Sequence, residues 1–467
     1  MQVQILSGIY TDGGADYRVS YPVNRVPVAK AQGISAGYLR PADGLIDSGT
    51  GPGADRGGIL WDGVHYRIMG TKLVSISSAG VSTTLGDVGT GGYCAMAYSY
   101  DNLAISSGGR LYYWNKTTLT RVTDVDLGIS LTVMYIDGYF VSTDGEFLIV
   151  SDLNDPMSFN ILKYGSAEVD PDPVYAVLEN RNELHAAGRY TIETYNNTGG
   201  ANFPFTRVNG GHMQRGAVGT HAICKFADAI AFVGGGRNEA IGVYIGENGQ
   251  TAKISTAEID ALLSTYTEAE QGAIVLEKRI YDDHTHLYMH LPDRTMVYDL
   301  EATKALGQFI WFTLTSALVG YSRYRARGLV LTGNKWWFGD PVSGKVGYLS
   351  GTTSHHFGTP VRWEFGTQIV YGEGGSAIIS EMELVALTGR VDSDKDPIIS
   401  TSYSKDGQSW SVERPIRAGK VGESTKRLVW LKAGNIGTWR IQRFRGTSEA
   451  HISISRLEMQ VEGLGNG

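Results

Sequence analysis

The sequence contains few of the residues that stabilise disulfide-rich or zinc-ribbon folds. Its 467 residues include two cysteines, Cys94 and Cys224, which are far apart and belong to no Cys-x-x-Cys pair. Disulfide frameworks and zinc ribbons need several cysteines at short, regular spacings. We exclude both classes of fold and expect each thiol to be a small buried group.

Charged residues are also scarce. They make up 19% of the chain, and the formal net charge is −7. Proteins that coat nucleic acid depend on clustered Lys and Arg, because phosphate contacts with release of counterions dominate their affinity. This balance argues against a general nucleic-acid coat, although a local basic patch is still compatible with it.

Long apolar segments and processing signals are missing from the sequence. No apolar stretch reaches the roughly 18 residues that a transmembrane helix needs. The opening residues, MQVQILSGIYTDGG, have no basic leader followed by an apolar run. We expect a soluble protein without a signal peptide and without membrane insertion.

Motifs for catalysis and cofactor binding are absent as well. No Gly-x-Ser-x-Gly elbow occurs, and GTGPGADRGG (49–58) lacks the Gly-Lys-Ser/Thr ending of a phosphate-binding loop. We read 49–58 as an exposed loop. The sequence predicts no enzyme, no catalytic residue and no cofactor.

Glycine and tyrosine are abundant, with 61 and 26 residues respectively, and this composition favours strands and turns. Seven hairpin-like units occur between residues 59 and 355, with centres about 36 to 53 residues apart, which is the spacing of propeller blades. We predict an all-β protein with a degenerate β-propeller of about six or seven blades at 59–355.

One segment inside this region has helical character. STAEIDALLSTYTEAEQG (255–272) carries apolar residues at helical spacing. Ser255 with Glu258 and Thr267 with Glu270 each form a capping-box pattern. We predict two short helices inserted between blades.

The two ends of the chain differ from the middle. After residue 356, long alternating runs such as PVRWEFGTQIVY and HISISRLEMQVEG predict a C-terminal β-sandwich at 356–467. Residues 1–58 form neither pattern. We assign them to an N-terminal arm or platform segment.

Three histidines lie close together in HTHLYMHLP (284–292). His284, His286 and His290 share one face of a predicted strand, a spacing that permits a zinc site. The alternating apolar residues equally indicate a half-buried strand with a polar outer face. Since no Cys, Asp or Glu shares that face of the strand, we predict the strand and no metal.

SYSKDGQSW (402–410) is similar to the Asp-box turn of sialidase propellers. The match is imperfect because Asp406 and Gly407 are adjacent, whereas the Asp box separates them by one residue. A glycosidase also needs two facing carboxylates, which the sequence does not locate. A glycan-binding or glycan-degrading protein therefore stands as the alternative function.

A basic segment lies near the C-terminus. Residues 411–446 contain nine basic and two acidic residues, so this segment is +7 and the rest of the chain is −14. Such a segment can dock an acidic partner or line a passage for DNA, or it is an ordinary solvated face. The candidate partner-interface residues, called the six basic residues below, are Lys426, Arg427, Lys432, Arg440, Arg443 and Arg445.

Three stretches resemble one known family. ADYRVSYPVNRVPV (15–28) with GYLRPADGL (37–45), ISTAEIDALLSTYTEAEQ running into YDDHTHLYMHLPDRTMVYDL, and KRLVWLKAGNIGTWRIQRFRG occur in order along the chain. They resemble the packaged-DNA stabilisation proteins, the tail hub or nozzle proteins of short-tailed (podovirus) bacteriophages. The likeness covers both ends and the centre, whereas much of 45–250 resembles the family only in pattern.

This resemblance implies a structural virion protein. Members of the family form a homo-hexamer below the portal and its head-to-tail adaptor protein, continue the DNA channel, and retain the packaged genome. They anchor tailspikes or tail fibres and a tail needle or plug, and double-stranded viral DNA passes without sequence-specific contacts. The chain is accordingly expected in the phage tail of the virion, assembled in the host cytoplasm.

Overall fold

The computed structural model describes residues 1–11, 16–30, 35–167, 169–371 and 376–463. Residue 15 of the motif at 15–28, and the last four residues of the predicted sandwich segment, lie outside this part. Among the described residues, no helix has the length and apolar character needed to span a membrane.

Within residues 1–11, 16–30 and 35–54, six strands precede the first complete blade. They are β1 (Gln2–Val3), β2 (Gly8–Thr11), β3 (Tyr17–Ser20), β4 (Arg25–Ala29), β5 (Gly37–Pro41) and β6 (Gly44–Thr50). β2 and β3 form a separate hairpin, whereas the other four join larger sheets. The N-terminal segment is therefore distributed over several parts of the fold.

The next strands form antiparallel sheets, each made from consecutive strands. Blade 1 comprises β7 (Asp55–Trp61), β8 (Val64–Met69), β9 (Lys72–Ile76) and β10 (Ser82–Asp87). Blade 2 comprises β11 (Ala95–Tyr98), β12 (Leu103–Ser107), β13 (Arg110–Trp114) and β14 (Leu119–Arg121). Blade 3 comprises β15 (Thr132–Ile136), β16 (Tyr139–Thr143), β17 (Phe147–Asp152), β18 (Asp155–Phe159) and β19 (Gly165–Ser166), with a 3-10 turn at Ile161–Lys163.

Four further blades complete the set. Blade 4 comprises β20 (Val174–Asn180), β21 (Glu183–Gly188), β22 (Ile192–Asn197) and β23 (Phe205–Arg207). Blade 5 comprises β24 (Gly216–Ala217), β25 (Ile223–Phe226), β26 (Ala229–Gly235), β27 (Gly242–Glu247) and β28 (Gln250–Lys253). Blade 6 comprises β29 (Val275–Tyr281), β30 (His284–His290), β31 (Thr295–Asp299) and β32 (Ile310–Leu314), and blade 7 comprises β33 (Arg327–Thr332), β34 (Lys335–Gly339), β35 (Lys345–Ser350) and β6. The seven-bladed propeller confirms the predicted fold.

Each blade contains one tight turn in which two successive residues have positive φ. The seven pairs are Asp62–Gly63, Gly108–Gly109, Asp137–Gly138, Arg181–Asn182, Asn248–Gly249, Asp282–Asp283 and Gly333–Asn334. Two left-handed residues in a two-residue loop are typical of the type I′ turn, whose twist matches that of paired strands. The Asp, Asn and Gly residues between apolar runs therefore specify the hairpins that the sequence predicts.

The propeller ring is closed by the N-terminal segment. β6 pairs antiparallel with β35, in a register that places Ile46 opposite Tyr348, and so becomes the fourth strand of blade 7. The chain then continues into the first strand of blade 1. Backbone hydrogen bonds thus join the beginning of the propeller to its end.

A buried ion pair lies where blade 1 meets blade 7. Nη2 of Arg67 is 2.7 Å from Oδ1 of Asp55, and both side chains have no exposed surface. Arg67 also donates to the backbone carbonyls of Arg327 and Gly328 on blade 7, each at 2.9 Å. The prediction of an exposed loop at 49–58 is wrong. Most of these residues belong to β6 and β7, which are joined by a short connection, and Asp55 is 1% exposed.

In the part of the chain that the structure describes, three α-helices interrupt the strands: α1 (Ala257–Ser264), α2 (Glu268–Gly272) and α3 (Leu300–Leu306). The two predicted helices are α1 and α2, between blades 5 and 6, and the Thr267–Glu270 capping box is present. The Ser255–Glu258 box is wrong. α1 begins after Thr256, and the hydroxyl of Ser255 donates to Asp260 instead, at 2.6 Å. α3, within blade 6, was not predicted.

The C-terminal strands are β36 (Arg362–Gly366), β37 (Val370–Tyr371), β38 (Ala377–Ala386), β39 (Ile398–Ser404), β40 (Arg414–Arg417), β41 (Leu428–Ile436), β42 (Trp439–Thr447) and β43 (Ile454–Gly463). One sheet has the order β4-β5-β43-β38-β41, with β1 beside β43, and the other β36-β42-β39-β40, with β37 beside β42. Aromatic residues of both sheets share one core. The ring centre of Phe444 lies 5.2 Å from that of Phe365 and 5.6 Å from that of Trp430. The β-sandwich prediction is confirmed.

Asn24 links the sandwich to the propeller. Its amide nitrogen donates to the carbonyls of Thr315, after β32, at 2.9 Å and of Arg362, on β36, at 2.7 Å. The preceding residue, Val23, bridges to Thr313 and Glu364. The N-terminal segment therefore lies between blade 6 and the second sandwich sheet.

The predicted divisions after residues 58 and 355 stay predictions about domains. Strand pairing assigns parts of the segment 1–58 to both units, since β6 completes blade 7 while β1, β4 and β5 extend a sandwich sheet. This sharing was hidden from sequence reasoning because strand pairing depends on contacts between residues far apart in the chain.

We predict that Arg67→Met strongly destabilises the protein. The change leaves the fully buried carboxylate of Asp55 without its partner, a loss that typically costs about 3–5 kcal/mol. Urea denaturation followed by tryptophan fluorescence measures it. Lys72→Met, which breaks the exposed ion pair with Asp87, is the control. Equal midpoints for the two variants would show that the buried pair does not stabilise the fold.

Candidate functional site

The six basic residues are divided between the two sandwich sheets. Lys426 and Arg427 precede β41, Lys432 lies within it, and Arg440, Arg443 and Arg445 lie on β42. Lys426 and Lys432 are exposed. Their role in a partner interface remains a prediction.

Arg440 is a packed residue of the sandwich interior. It has no exposed surface, and burial lowers the pKa of its guanidinium to about 10. The guanidinium lies 3.9 Å from the ring centre of Tyr403 and donates to the Ala433 carbonyl at 2.8 Å. It also donates to Oε1 of Gln442 at 2.6 Å. These contacts indicate internal packing rather than a surface role for this member of the set.

Acidic residues from other strands offset much of the basic charge. Arg427 pairs with Glu383 at 2.5 Å and with Glu381 at 3.1 Å, both on β38. Arg445 pairs with Glu364 at 2.7 Å and with Glu413 at 2.9 Å. The basic segment has a large positive charge along the sequence, but in the folded protein nearby carboxylates neutralise part of that charge.

Arg443 lies on the same side of β42 as Arg445. Its guanidinium stacks 4.0 Å from the ring centre of Trp410, and Nε lies 3.3 Å from the hydroxyl of Ser402. Partial burial lowers the pKa of Arg443, and Arg445 lowers it further. A cation stacked on an aromatic ring is well ordered, so this pair is the most structured part of the candidate surface.

A cavity of about 500 Å³ lies on the propeller axis, lined by residues of β7, β11, β15, β20 and β25. A second cavity, of about 630 Å³, opens at another part of the axis. Tyr93 and His221 line both, and their rings pack edge to face at 4.9 Å. The two aromatic rings therefore occupy part of the propeller axis.

The histidine strand is confirmed as β30, but its predicted polar outer face is wrong. His286 is 2% exposed and His290 is 8% exposed. Nε2 of His290 lies 2.5 Å from Oε1 of Glu277, and its Nδ1 lies 2.9 Å from the Thr295 hydroxyl. The face is buried because blade 6 packs against its neighbours on both sides, and the buried imidazoles contact polar residues of adjacent strands.

Asp299 is the carboxylate that sequence reasoning missed. Its Oδ2 lies 2.6 Å from Nδ1 of His284 and 3.1 Å from Nε2 of His286. The hydrogen bond with Asp299 raises the pKa of His284, and burial lowers the pKa of His286. Burial opposes ionisation of Asp299, but the hydrogen bonds with both imidazoles outweigh it and lower the pKa of this carboxyl. The sequence does contain a signal for this contact. A hairpin turn at 291–294 pairs His290 with Thr295, and this register places Asp299 directly opposite His286.

A network of arginines continues from this group toward the N-terminal segment. Asp43, between β5 and β6, pairs with Arg40 at 2.8 Å and with Arg279 at 2.7 Å. The two arginines hold the pKa of the Asp43 carboxyl at about 2, against the effect of burial. Arg279 in turn lies 3.3 Å from the hydroxyl of Tyr288, which shares β30 with the histidines.

The Asp406 carboxylate stabilises a local turn. It accepts hydrogen bonds from the backbone N–H groups of Gln408 at 2.9 Å and Ser409 at 2.8 Å, and from the Ser404 hydroxyl at 2.8 Å. Gly407 has a φ of 75°, and a Cβ there would overlap Thr11 on β2. The residues that resemble an Asp box thus form a turn that contacts the N-terminal hairpin.

Family comparison decides the assignment of this two-part fold. The family model described as "Bacteriophage P22 Gp10, beta-propeller" matches residues 1–354, and that described as "Bacteriophage P22 Gp10, beta-sandwich" matches residues 362–462. The chain belongs to the family of bacteriophage P22 Gp10. The resemblance to the podovirus tail hub family is confirmed.

One curated relative of this Gp10-family chain is the tail hub protein gp10 of Salmonella phage P22. The two sequences are 26% identical, and the match covers 99% of each chain. Two solved structures are similar to part of the chain at low similarity. The N-terminal domain of Nup159 has a TM-score of 0.43 and 9% identity, over 71% of this chain and 99% of its own. The computationally designed Ika8 protein has a TM-score of 0.38 and 14% identity, over 71% and 100%.

We predict that Arg440→Glu destabilises this Gp10-family chain by about 3–5 kcal/mol, because it places an unpaired carboxylate in the sandwich interior beside two oxygen acceptors. Guanidinium denaturation measures the change. The control, Lys426→Glu on the exposed segment before β41, should leave the transition almost unchanged. A wild-type transition for Arg440→Glu would contradict internal packing and return this residue to the surface set.

We also predict that stability falls as pH decreases from 6.5 to 4. Burial lowers the pKa of His65 to about 2, of His185 to about 4 and of His356 to about 3. Their unfolded pKa is about 6.5, so in this window the unfolded chain binds more protons and unfolding is favoured. Each additional proton bound by the unfolded chain lowers the free energy of unfolding by about 1.4 kcal/mol per pH unit.

Urea titrations at pH 7 and pH 5 test this pH dependence. Nδ1 of His356 lies 2.8 Å from the hydroxyl of Ser316. In His356→Asn the side-chain amide still offers a hydrogen-bonding group to this hydroxyl, but one titrating group is removed. It should reduce the loss of stability between the two pH values, whereas His212→Asn should leave that loss unchanged. An identical loss in wild type and His356→Asn would refute the contribution of the buried imidazole.

Proposed function

We propose that this chain is a structural subunit of a bacteriophage tail hub and has no catalytic activity. The observation that carries the proposal is the match of both the propeller and the sandwich to the Gp10 family, with 99% of each chain covered against a tail hub protein. A propeller alone hosts many functions, so a match over both domains is much more specific.

The full proposal concerns assembly. Six copies form a ring below the portal and its head-to-tail adaptor, continue the DNA channel, and retain the packaged genome. The ring anchors tailspikes or tail fibres and any needle or plug. The protein is built into the virion tail in the host cytoplasm, and a propeller and a sandwich provide several rigid faces for these partners.

Two observations support a DNA path between subunits rather than through them. Side chains of Tyr93 and His221 narrow the propeller axis, which leaves the centre of a subunit ring as the place for duplex DNA. The net charge of −7, together with the internal pairing of Arg427 and Arg445, favours an acidic channel wall. Such a wall lets DNA slide without the phosphate contacts that basic linings form.

An exposed apolar patch on the rim of blade 3 supports contacts between subunits. A hydrogen bond of 3.0 Å from the Phe159 backbone N–H to Oδ2 of Asp124 holds the segment before this blade against its outer strand. Clustered apolar residues on a soluble surface commonly mark protein contacts. The patch consists of Val125, Leu153, Ile161 and Leu162, which are 92%, 55%, 60% and 72% exposed.

Mass photometry of the purified protein, alone and mixed with portal–adaptor complex, tests the proposal. We expect six copies to join the portal end of the complex. Leu162→Glu should abolish this assembly with an unchanged melting temperature, because a charge is placed in the patch, whereas Leu162→Met should still assemble.

A protein that stays monomeric and apart from portal–adaptor would overturn the hub proposal. If that protein also degraded bacterial surface polysaccharide, the glycan-degrading alternative would replace it. Assembly by wild type and Leu162→Glu alike would retain the hub and assign the subunit contact to another face.

A further inference from the structure

Three side chains from two neighbouring strands of blade 6 converge on one point. His284 and His286 lie on β30, and Asp299 ends β31. One ligand atom from each lies within 4.8 Å of the other two. Zinc binds imidazole nitrogen and carboxylate oxygen at about 2.0–2.2 Å, which puts tetrahedral ligand atoms about 3.4 Å apart. Since Oδ2 of Asp299 is 2.6 Å and 3.1 Å from the two nitrogens, a small outward movement makes room for an ion.

Both imidazoles can present a bare nitrogen to an ion without losing another hydrogen bond. A neutral imidazole carries its proton on one nitrogen and a lone pair on the other. Nδ1 of His286 is buried and has no hydrogen-bond partner among the described residues, so a proton on this atom displaces no existing contact. The hydrogen bond from Nε2 to Asp299 is then replaced by the bonds of both groups to the ion. The side chain of His284 is 20% exposed, so water can hydrate its other nitrogen.

Fixed charges around the group are compatible with a cation. Glu301 accepts a hydrogen bond from the backbone N–H of Thr285, next to His284, and adds a second carboxylate. Arg40 and Arg279 lie on the side of Asp43, which pairs with both of them. Three carboxylates therefore lie near two guanidinium groups, and imidazoles that bind an ion in their neutral form add no positive charge.

We propose that His284, His286 and Asp299 bind one divalent transition-metal ion of the zinc class, with water completing its coordination. Two imidazoles and one carboxylate are a donor set that suits zinc, cobalt and iron(II). The sequence predicted no metal here because the third ligand comes from the neighbouring strand. This site belongs to neither the hub proposal nor any catalytic scheme.

The ion would join three elements of blade 6. Asp299 also caps α3, since its Oδ1 accepts the backbone N–H of Ala302 at 2.9 Å. Binding at Oδ2 therefore fixes the β30–β31 hairpin and the start of α3 together. Through Tyr288 and Arg279, this group adjoins Asp43, where the chain crosses from the sandwich to the propeller.

Metal titration of the untagged, chelator-treated full-length protein tests the site. With ZnCl₂ we expect one ion per chain by isothermal titration calorimetry and a higher thermal midpoint. With CoCl₂ we expect visible absorption bands of nitrogen-ligated cobalt. Removing a ligand should weaken zinc binding at least about tenfold. His284→Gln is the test variant because its side chain is partly exposed, and His212→Gln, in the loop before β24, is the matched control.

Three results would overturn the proposal. One is the absence of stoichiometric binding by wild type at about 100 µM zinc, and another is wild-type affinity in His284→Gln. The third is a cobalt spectrum of the free aqua ion, which is measured on wild type and does not depend on how a variant folds. Equal loss of zinc binding in His212→Gln would likewise assign the effect to a different histidine.

Discussion

The antiparallel pairing of β6 with β35 is the contact on which the rest of the structure depends. It completes blade 7 with a strand from the beginning of the chain, so backbone hydrogen bonds close the propeller ring. The same N-terminal segment supplies β4 and β5 to the sandwich and places Asn24 between blade 6 and β36. Propeller and sandwich therefore share one structural segment, and loss of the closure loosens both.

Buried charge reinforces this arrangement in a chain that has few charged residues. The Asp55–Arg67 pair holds the backbone of blade 7 against blade 1, and Asp43 holds Arg40 and Arg279 beside the crossing from β5 to β6. A buried guanidinium is costly unless each N–H finds an acceptor. Some of these acceptors come from distant parts of the chain: Arg67 donates to carbonyls of blade 7, and Arg279 pairs with Asp43. These long-range contacts are specific for the closed ring.

A structural role agrees with how the polar residues are used. Asp406 stabilises a turn, Arg440 packs in the sandwich, and Arg427 and Arg445 are paired with local carboxylates. The propeller axis is narrowed by Tyr93 and His221. Exposed apolar residues also occur on the rim of blade 3.

The sequence by itself determined the strand-rich class, the blade repeat, the helical insert and the sandwich, because turn residues and apolar periodicity act over short distances. It also carried the family resemblance. Tertiary structure alone decided which strand closes the ring and that the histidine face is buried. It likewise separated Arg440 from the exposed basic residues and gave Arg427 its acidic partners. Those outcomes depend on pairing between residues far apart in the chain, which no local pattern specifies.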